Sequence, residues 1–546
     1  MRRKAGKRTE KEEERTMDEA GKRTQGEMNP ERKAKAQGPA LGAAQEAAQG
    51  EIRPEKDEKG RLSAARPPVP FPVLGGASAL YALFYTFCLY RNASGITYPF
   101  FIAGTLFYFF FCIKRCGVPS GSSAGGKRGA VDGVYAGFIL LLGVSVCLTA
   151  DGKIHLMTKT GIFLLTVTLV LRQLYRAKEW DFSLWLCRIC RSLAETPGYL
   201  DAPVRDGIGW LGQREKGGKS GRVGAVAAGL FAAIPFLIVI LALLASADAV
   251  FSDLLARAVK GFRLWDLAGM AAMAAAVFFL CYAYVRGIFA DLAARPPREG
   301  ERRKKYPSAA ALAFTSVTAV VYLIFCGVQV VYLFWGKLQL PRGLTWAQYA
   351  RQGFFQLLFV CLINLALVLV CLALFEESRA LKAMLTAISL MTYIMIASSA
   401  CRMLLYIRNY HLTFLRLMVL WALAVIALIF AGVIVSIYRK GFPLFSFCAV
   451  TVAILYLAPA FGRPDYWIAR YNAAAMEAGE YDDYGYLSTL CADAAPALLD
   501  PETAELWDET WPFQDWEARM KEGAQNMGIR GFNLSRWAAG ELAGRR

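Results

Sequence analysis

Residues 354–374 read FFQLLFVCLINLALVLVCLAL, an uncharged run in which only Gln356 and Asn364 are strongly polar. A helix needs about 20 mostly apolar residues to cross the hydrocarbon core of a bilayer, and this run reaches that length. Hydrophobic residues make up 56% of the 546 residues, which leaves too little polar surface for a water-soluble protein of this size. The sequence therefore predicts an integral membrane protein.

Similar runs recur along the chain after residue 70. They predict an all-α polytopic transmembrane helix bundle of about eleven spans. The fourth run is the shortest and carries Arg172, and without it every later span would reverse its orientation. The predicted spans are 71–90, 96–113, 131–150, 160–175, 223–245, 267–288, 309–335, 354–374, 381–406, 414–437 and 442–461.

Lysine and arginine alternate in density between successive loops. They are dense after the second, fourth and sixth spans, with the strongest cluster at 295–305, and sparse after the first, third and fifth. Cytoplasmic loops of membrane proteins are enriched in these residues. The alternation predicts a cytoplasmic N-terminus and, because the number of spans is odd, an extracytoplasmic C-terminus.

The spans divide the chain into five parts. Residues 1–66 are hydrophilic and too poor in apolar residues to form a core, so we expect a disordered charged tail. Residues 67–176 hold the first four spans, and 223–461 form a main bundle of seven helices. An amphipathic segment at 177–222 separates the two groups, and an acidic helical tail at 462–546 follows them.

The amphipathic segment combines Trp180, Trp185 and Ile189 with Arg188 and Arg191. This pattern is typical of a helix lying in the cytoplasmic membrane interface. A loop helix docked on the bundle would show the same pattern, and both interpretations stay open.

In the tail, Pro464 predicts the start of a helix that stops at Gly479, with further helices at 484–490 and 494–499. The tail is too short and polar to predict a large core. We therefore expect a small helical subdomain packed on the membrane face.

Charge and motifs exclude several classes of function. The formal net charge of +18 would suggest nucleic acid in a soluble protein, but here the basic residues flank the apolar runs, as membrane topology requires, and we expect no nucleic-acid partner. His155 and His411 are the only histidines and lie far apart, so no metal site is predicted. No phosphate-binding loop, hydrolase elbow or zinc-protease motif is present, and we assign no catalytic residue and no cofactor.

Polar residues near the ninth and tenth spans form the densest candidate site: Arg402, Tyr406, Arg408, His411 and Arg416. Charges near hydrocarbon are costly and therefore mark functional candidates. The arginines could hold a phosphate, a carboxylate or a lipid head group. The structural alternative is pairing with acidic residues such as Asp248, Asp253 or Asp266.

Two amides inside the spans complete the set of candidate ligand-binding residues. Asn364 in the eighth span and Gln329 in the seventh could contact a substrate or bond to neighbouring helices. The preceding stretch from Leu340 contains Pro341 and Gly343, which predict a turn, and Thr345, which can cap a short helix.

Four segments carry a resemblance: 340–364, RNYHLTFLRL at 408–417, PDYWIARYN at 464–472 and YLSTLCADAAPALL at 486–499. Together they resemble an uncharacterised family of bacterial multi-pass membrane proteins classified as a domain of unknown function. The resemblance covers about residues 223–499 and implies a bacterial plasma membrane location, with no activity to carry over.

Three functions remain open, with the non-enzymatic ones preferred. A carrier would join Gln329, Asn364, Arg402 and Arg416 in one water-accessible cavity. A scaffold or sensor would use the tail and the 408–416 hairpin to dock a protein partner or an anionic ligand, within a tightly packed bundle. A membrane-embedded transferase acting on lipid-linked anionic substrates is the alternative, and the absence of a carboxylate from residues 91–95, in the first outer loop, counts against it.

Overall fold

The computed structural model describes residues 70–92, 94–115, 127–175, 180–215, 264–294, 306–331 and 353–545, with the isolated positions 240, 244 and 248. The predicted tail at 1–66, the turn at 340–345 and Asp253 lie outside these residues. So does the predicted fifth span at 223–245, apart from the isolated positions.

The described part of the chain is helical, as predicted, and no named strand occurs in it. Twelve α-helices of the described residues precede the tail: α1 (Phe71–Leu89), α2 (Thr97–Arg115), α3 (Lys127–Leu148), α4 (Gly152–Leu174), α5 (Phe182–Ala194), α6 (Ala202–Glu215), α7 (Leu264–Ala294), α8 (Ser308–Gln329), α9 (Phe354–Leu374), α10 (Arg379–Tyr410), α11 (Phe414–Tyr438) and α12 (Leu444–Phe461). Six more form the tail: α13 (Pro464–Glu477), α14 (Tyr484–Leu487), α15 (Ala495–Leu498), α16 (Pro501–Ala504), α17 (Trp511–Gln525) and α18 (Leu534–Arg545).

Ten of the described helices, α1–α4 and α7–α12, are long and apolar enough to cross a membrane. They coincide with ten of the eleven predicted spans. The fourth, α4, is longer than the sequence suggested and reaches back to Gly152. Its cation is compensated, because Arg172 Nε lies 2.9 Å from Asp132 Oδ1 on α3. A paired arginine can remain in an apolar span where an isolated one would be expelled.

The spans pack around two apolar cores. Residues from α1–α4, α7 and α12 form the first, in which the rings of Tyr81 and Tyr108 stack at 4.6 Å. Leucine, methionine and cysteine side chains from α8–α11 fill the second. Helices α11 and α12 join them, and Trp421 on α11 donates a hydrogen bond to the carbonyl of Leu455 on α12.

Contacts distinguish the two ends of the bundle. At the tail end, the loops at 90–96, 149–151 and 411–413 all contact residues of the tail. At the opposite end, Arg188 on α5 pairs with Asp291 on α7 at 2.9 Å. Helix α7 begins at the tail end, where Asp266 pairs with Arg91 at 2.7 Å. The loops at the tail end, 90–96, 149–151 and 411–413, are ones that the distribution of basic residues assigns to the same side of the membrane.

Helix α5, in the predicted amphipathic segment, rests on the bundle. Trp185 and Ile189 are buried against α4 and α7, and the Trp185 ring stacks on Phe445 at 4.7 Å. Leu184 and Leu186 point away and are exposed. One face of the helix is thus docked on the bundle, as one of the two interpretations predicts, while its position in the membrane interface stays a prediction.

The tail folds into a C-terminal domain, residues 464–545, with its own core. Helix α13 begins at Pro464 as predicted and is followed by Gly479 at a φ of +72°. The prediction that the tail lacks a large core is wrong. Trp507, Phe513 and Trp516 are fully buried among the alanines and leucines of α13 and α15, and Trp516 Nε1 donates to the Leu490 carbonyl at 2.8 Å.

Candidate functional site

Three of the predicted site residues are buried where α8, α9 and α10 pack together, and two of them, Gln329 and Arg402, contact each other. We call Gln329, Asn364 and Arg402 the membrane polar line; all three are buried. Arg402 Nη2 donates to Gln329 Oε1 at 3.3 Å, and Ser398 Oγ donates to the same oxygen at 2.6 Å. The amide oxygen is thus shared between a cation and a hydroxyl of α10.

A glycine makes room for the Arg402 side chain. Gly353, which precedes α9, has a φ of +100°, and a Cβ atom there would lie 2.9 Å from Arg402 Nη1. A side chain at this position would be strained by the backbone and would displace the guanidinium.

The side-chain amide of Asn364 forms its hydrogen bonds with neighbouring helices. Tyr322 on α8 donates to Asn364 Oδ1 at 2.6 Å, and Asn364 Nδ2 donates to Thr392 Oγ1 on α10 at 3.0 Å. Interhelical hydrogen bonds of this kind join spans in lipid, where water cannot satisfy an amide. In this structure the amide binds helices together.

The other predicted residues form a separate group at the tail end. Arg416 Nη1 donates to the carbonyls of Tyr410 and His411, and its guanidinium lies 4.2 Å from the centre of the Tyr406 ring. His411, at a φ of +60°, donates from Nε2 to the Glu480 carbonyl at 2.9 Å. Arg416 thus stabilises the turn between α10 and α11, and His411 connects that turn to the C-terminal domain. Arg408 is exposed.

Neither of the two best-formed clefts among the described residues is lined by a predicted site residue. The two best-formed clefts there each enclose about 10 Å³, roughly the space of one water. One is walled by Tyr175, Arg188 and Asp291 at the opposite end, and the other by apolar residues of α2 and α4.

A second polar site, which the sequence did not reveal, lies between the bundle and the C-terminal domain. We call Asp151, Asp465 and Asp493 the carboxylate cluster; their side chains are at most 1% exposed. Asp493 Oδ2 accepts a short hydrogen bond from the Thr149 hydroxyl, and Oδ1 accepts one from the Ala150 amide at 3.1 Å. One carboxylate of the C-terminal domain thus accepts hydrogen bonds from two donors that directly follow α3.

Asp151 and Asp465 carry the remaining charge of the cluster. Asp151 caps α4 by accepting from the Lys153 amide at 2.7 Å, and Asp465 accepts from the Cys491 amide at 3.0 Å. Their other oxygens have no hydrogen-bond donor among the described residues. Both face Lys153 Nζ, at 4.0 Å from Asp151 and 3.8 Å from Asp465.

The electrostatics of the cluster follow from this burial. Loss of hydration and the nearby charge of Asp465 raise the pKa of Asp151 to about 6, against partial compensation by Lys153. Lys153 is half exposed, so its compensation is screened by water. Protonation of this group therefore falls within a physiological range of pH.

Asparagines extend the junction on both sides of the cluster. Asn533 Nδ2 donates to the Thr149 carbonyl at 2.8 Å, and Asn472 exchanges two hydrogen bonds with the backbone of Leu412 at 3.1 and 3.0 Å. In the first loop, Asn92 Nδ2 donates to the Arg530 carbonyl at 2.7 Å. Three loops of the bundle are thereby tied to one domain.

Sequence reasoning missed this site for a physical reason. Its carboxylates belong to segments more than 300 residues apart, and Asp465 and Asp493 stand among other acidic residues of a polar tail. The one available signal was Asp151, a lone carboxylate between two apolar runs. Of the acidic residues considered as partners of the hairpin arginines, Asp266 pairs with Arg91 at 2.7 Å, and Asp253 lies outside the described residues.

Comparison with known proteins gives one match. The family model described as "Domain of unknown function (DUF4153)" matches residues 136–500, about two thirds of the chain. The match begins within α3, earlier than the resemblance in the sequence indicated, and ends before α16. No curated protein and no solved structure matches the chain.

Proposed function

Because the chain belongs to the DUF4153 family, whose description assigns no activity, we propose from its geometry that it is a membrane-embedded scaffold or sensor. In this proposal the spans form a packed platform, and the C-terminal domain is the part that partners meet. The domain would transmit changes in its surroundings to the spans, or the reverse, through the junction at 149–151.

The observation that carries the proposal is the buried junction. Asp493 and Asn533 both bond to the turn that links α3 and α4, while Asn472 bonds to the turn that links α10 and α11. A domain on a flexible tether would not need buried polar contacts with two separate turns, because each such group must be fully satisfied to avoid a desolvation cost. A fixed domain can transmit force or position.

The carrier hypothesis has less support. Gln329 and Arg402 bond to each other, Asn364 bonds to two other helices, and Arg416 bonds to backbone carbonyls of its own hairpin. A carrier would instead present such groups to a water-filled cavity near the middle of the membrane.

We further propose a bacterial cell membrane location, with the N-terminus cytoplasmic and the C-terminal domain extracytoplasmic. Support comes from the alternation of basic residues between loops and from the grouping of sparsely charged loops around the domain. Fusions of a compartment-specific reporter after Gly129, after Lys305 and at the C-terminus test this orientation. A cytoplasmic signal at the C-terminus would contradict it.

Thiol accessibility distinguishes a scaffold from a carrier. Ser398→Cys is nearly isosteric and places a thiol on the membrane polar line. The full chain in lipid nanodiscs is treated with a small charged thiol reagent, and modified peptides are identified by mass spectrometry. For a packed platform we expect no modification at 398 until the protein is unfolded.

The control is Thr489→Cys, at an exposed position of the C-terminal domain, which should react rapidly. Reaction at 398 at a rate comparable to that at 489 would reveal a water path to the polar line. That result would support a carrier and contradict the scaffold proposal.

A further inference from the structure

A short segment of the C-terminal domain carries apolar side chains that no part of the described protein covers. The 3₁₀ turn Ile529–Gly531 leads into α18, and Ile529 is 91% exposed. Trp537, one turn into α18, is 46% exposed. The exposed side chains of Ile529 and Trp537 leave apolar surface in contact with water, which is unfavourable.

This segment is continuous with the lipid-facing surface of α1. Arg530 Nη1 donates to the Phe87 carbonyl at 2.9 Å, and its guanidinium lies 5.8 Å from the Phe87 ring. Phe87 is 58% exposed on a helix apolar enough to cross the membrane, so its free face meets lipid. Ile529 therefore lies next to a residue at the end of a lipid-facing span.

Acidic and basic residues are also segregated along the sequence of the C-terminal domain. Residues 471–518 contain twelve carboxylates and no lysine or arginine, whereas 519–546 contain six lysines and arginines and two carboxylates. Arg530 and the exposed Arg536 flank the uncovered apolar residues. Cations next to tryptophan and aliphatic side chains suit the boundary between anionic head groups and acyl chains.

We propose that residues 529–537 are a lipid-binding seat, with Ile529 and Trp537 entering the head-group boundary and Arg530 and Arg536 meeting anionic head groups. The occupant is a lipid surface, because the seat continues the lipid-facing face of α1 and is cationic in an otherwise acidic domain. The inference rests on the proposed function, because Asn533 and the Arg530 carbonyl belong to the junction that fixes the domain to the bundle. Weak quenching at 529 with the junction intact would refute lipid binding alone and leave the scaffold proposal standing.

Depth-dependent quenching tests the seat. The full chain carrying Ile529→Cys is labelled with an environment-sensitive fluorophore, in a background in which Cys187 and Cys190, the exposed thiols of the described residues, and Cys116, which lies outside them, are replaced by serine. It is reconstituted as one copy per nanodisc, with a lipid that bears a quencher just below its head group. The matched control is Thr489→Cys, exposed in the acidic part of the same domain.

We expect quenching at 529 to be several-fold stronger than at 489. We also expect it to be stronger in an equimolar mixture of phosphatidylcholine and phosphatidylglycerol than in phosphatidylcholine alone. Arg536→Gln should reduce this difference between lipids while leaving the fold intact. Equal, weak quenching at 529 and 489 would overturn the proposal. So would a label at 529 that is shielded only when two copies share a disc, since the occupant would then be protein.

Discussion

The membrane polar line and the carboxylate cluster are both buried polar sites, yet they are built differently. The polar line sets one cation, Arg402, among neutral amides and hydroxyls on three adjacent helices. The carboxylate cluster holds three acids from segments far apart in the chain, and two of them, Asp151 and Asp465, lie about 4 Å from one half-exposed lysine. Lipid tolerates few charges, so the first site holds a single cation; the second lies where the bundle meets the domain and holds several carboxylates.

The difference shows what each site can do. Neutral hydrogen bonds within a bundle fix helices and change little with pH. A buried cluster of acids responds to protonation, because its charged form is costly. We therefore expect mutations in the cluster to have larger and pH-dependent effects, while mutations in the polar line have small effects that do not vary with pH.

The largest effect should come from Asp493→Ala. It removes the acceptor of the Thr149 hydroxyl and the Ala150 amide and leaves two buried donors unsatisfied. Each costs roughly 1–3 kcal/mol, so we expect the junction to weaken by about 2–6 kcal/mol. Hydrogen exchange of residues 464–545 in nanodiscs measures this loss. Asp482→Ala, at an exposed acid of the same domain, should leave exchange unchanged.

Asp151→Asn should stabilise the junction at neutral pH. The pKa of Asp151 is raised from 3.8 to about 6, so the docked state binds a proton that the undocked state releases. Docking therefore loses stability as the pH rises between about 4 and about 6, by up to roughly 3 kcal/mol, and stays constant above that window.

Asparagine retains the cap on the Lys153 amide but cannot ionise. Thermal unfolding followed across this range of pH should slope downward for the wild type and stay flat for the variant. A wild-type curve that rises with pH through the window would contradict the assignment.

Lys153→Met should act in the opposite direction. The ammonium lies about 4 Å from two buried carboxylates, and its loss leaves their charges uncompensated. Because the side chain is half exposed, we expect a loss of only about 1 kcal/mol at neutral pH. The destabilisation caused by Lys153→Met should be smaller in the Asp151→Asn background than in the wild type. A double-mutant cycle of melting temperatures would detect this difference. Arg545→Met, in an exposed pair with Glu541, is the control and should have almost no effect.

The smallest effect belongs to the polar line. Asn364→Leu removes the bonds to Tyr322 and Thr392, and interhelical hydrogen bonds in lipid average about 0.6 kcal/mol each. We expect a loss of about 1 kcal/mol in unfolding free energy, equal at acidic and neutral pH. Leu362→Val, on the lipid-facing side of the same helix, controls for changes in volume. A loss that varies with pH would show that the two sites are coupled.

Sequence reasoning found the spans because each is a local property of about 20 residues, and ten of them are confirmed among the described residues. It found Gln329, Asn364 and Arg402 for the same reason, since a polar residue in an apolar run is visible without any fold. It missed the core around Trp507 and Trp516, because that core depends on how several short helices fold against one another. The carboxylate cluster could not be found for the same reason, since Asp151 and Asp493 become neighbours only through the tertiary fold.

The central claim is that the C-terminal domain is fixed to the bundle by its buried junction. Hydrogen–deuterium exchange of the peptide spanning residues 149–151, in the full chain in nanodiscs, tests this most directly. If Asp493 holds the Ala150 amide, that amide should exchange as slowly as the buried residues at 494–498. Exchange as fast as at the exposed residues 482–483, with the domain still folded, would show that the domain is only tethered.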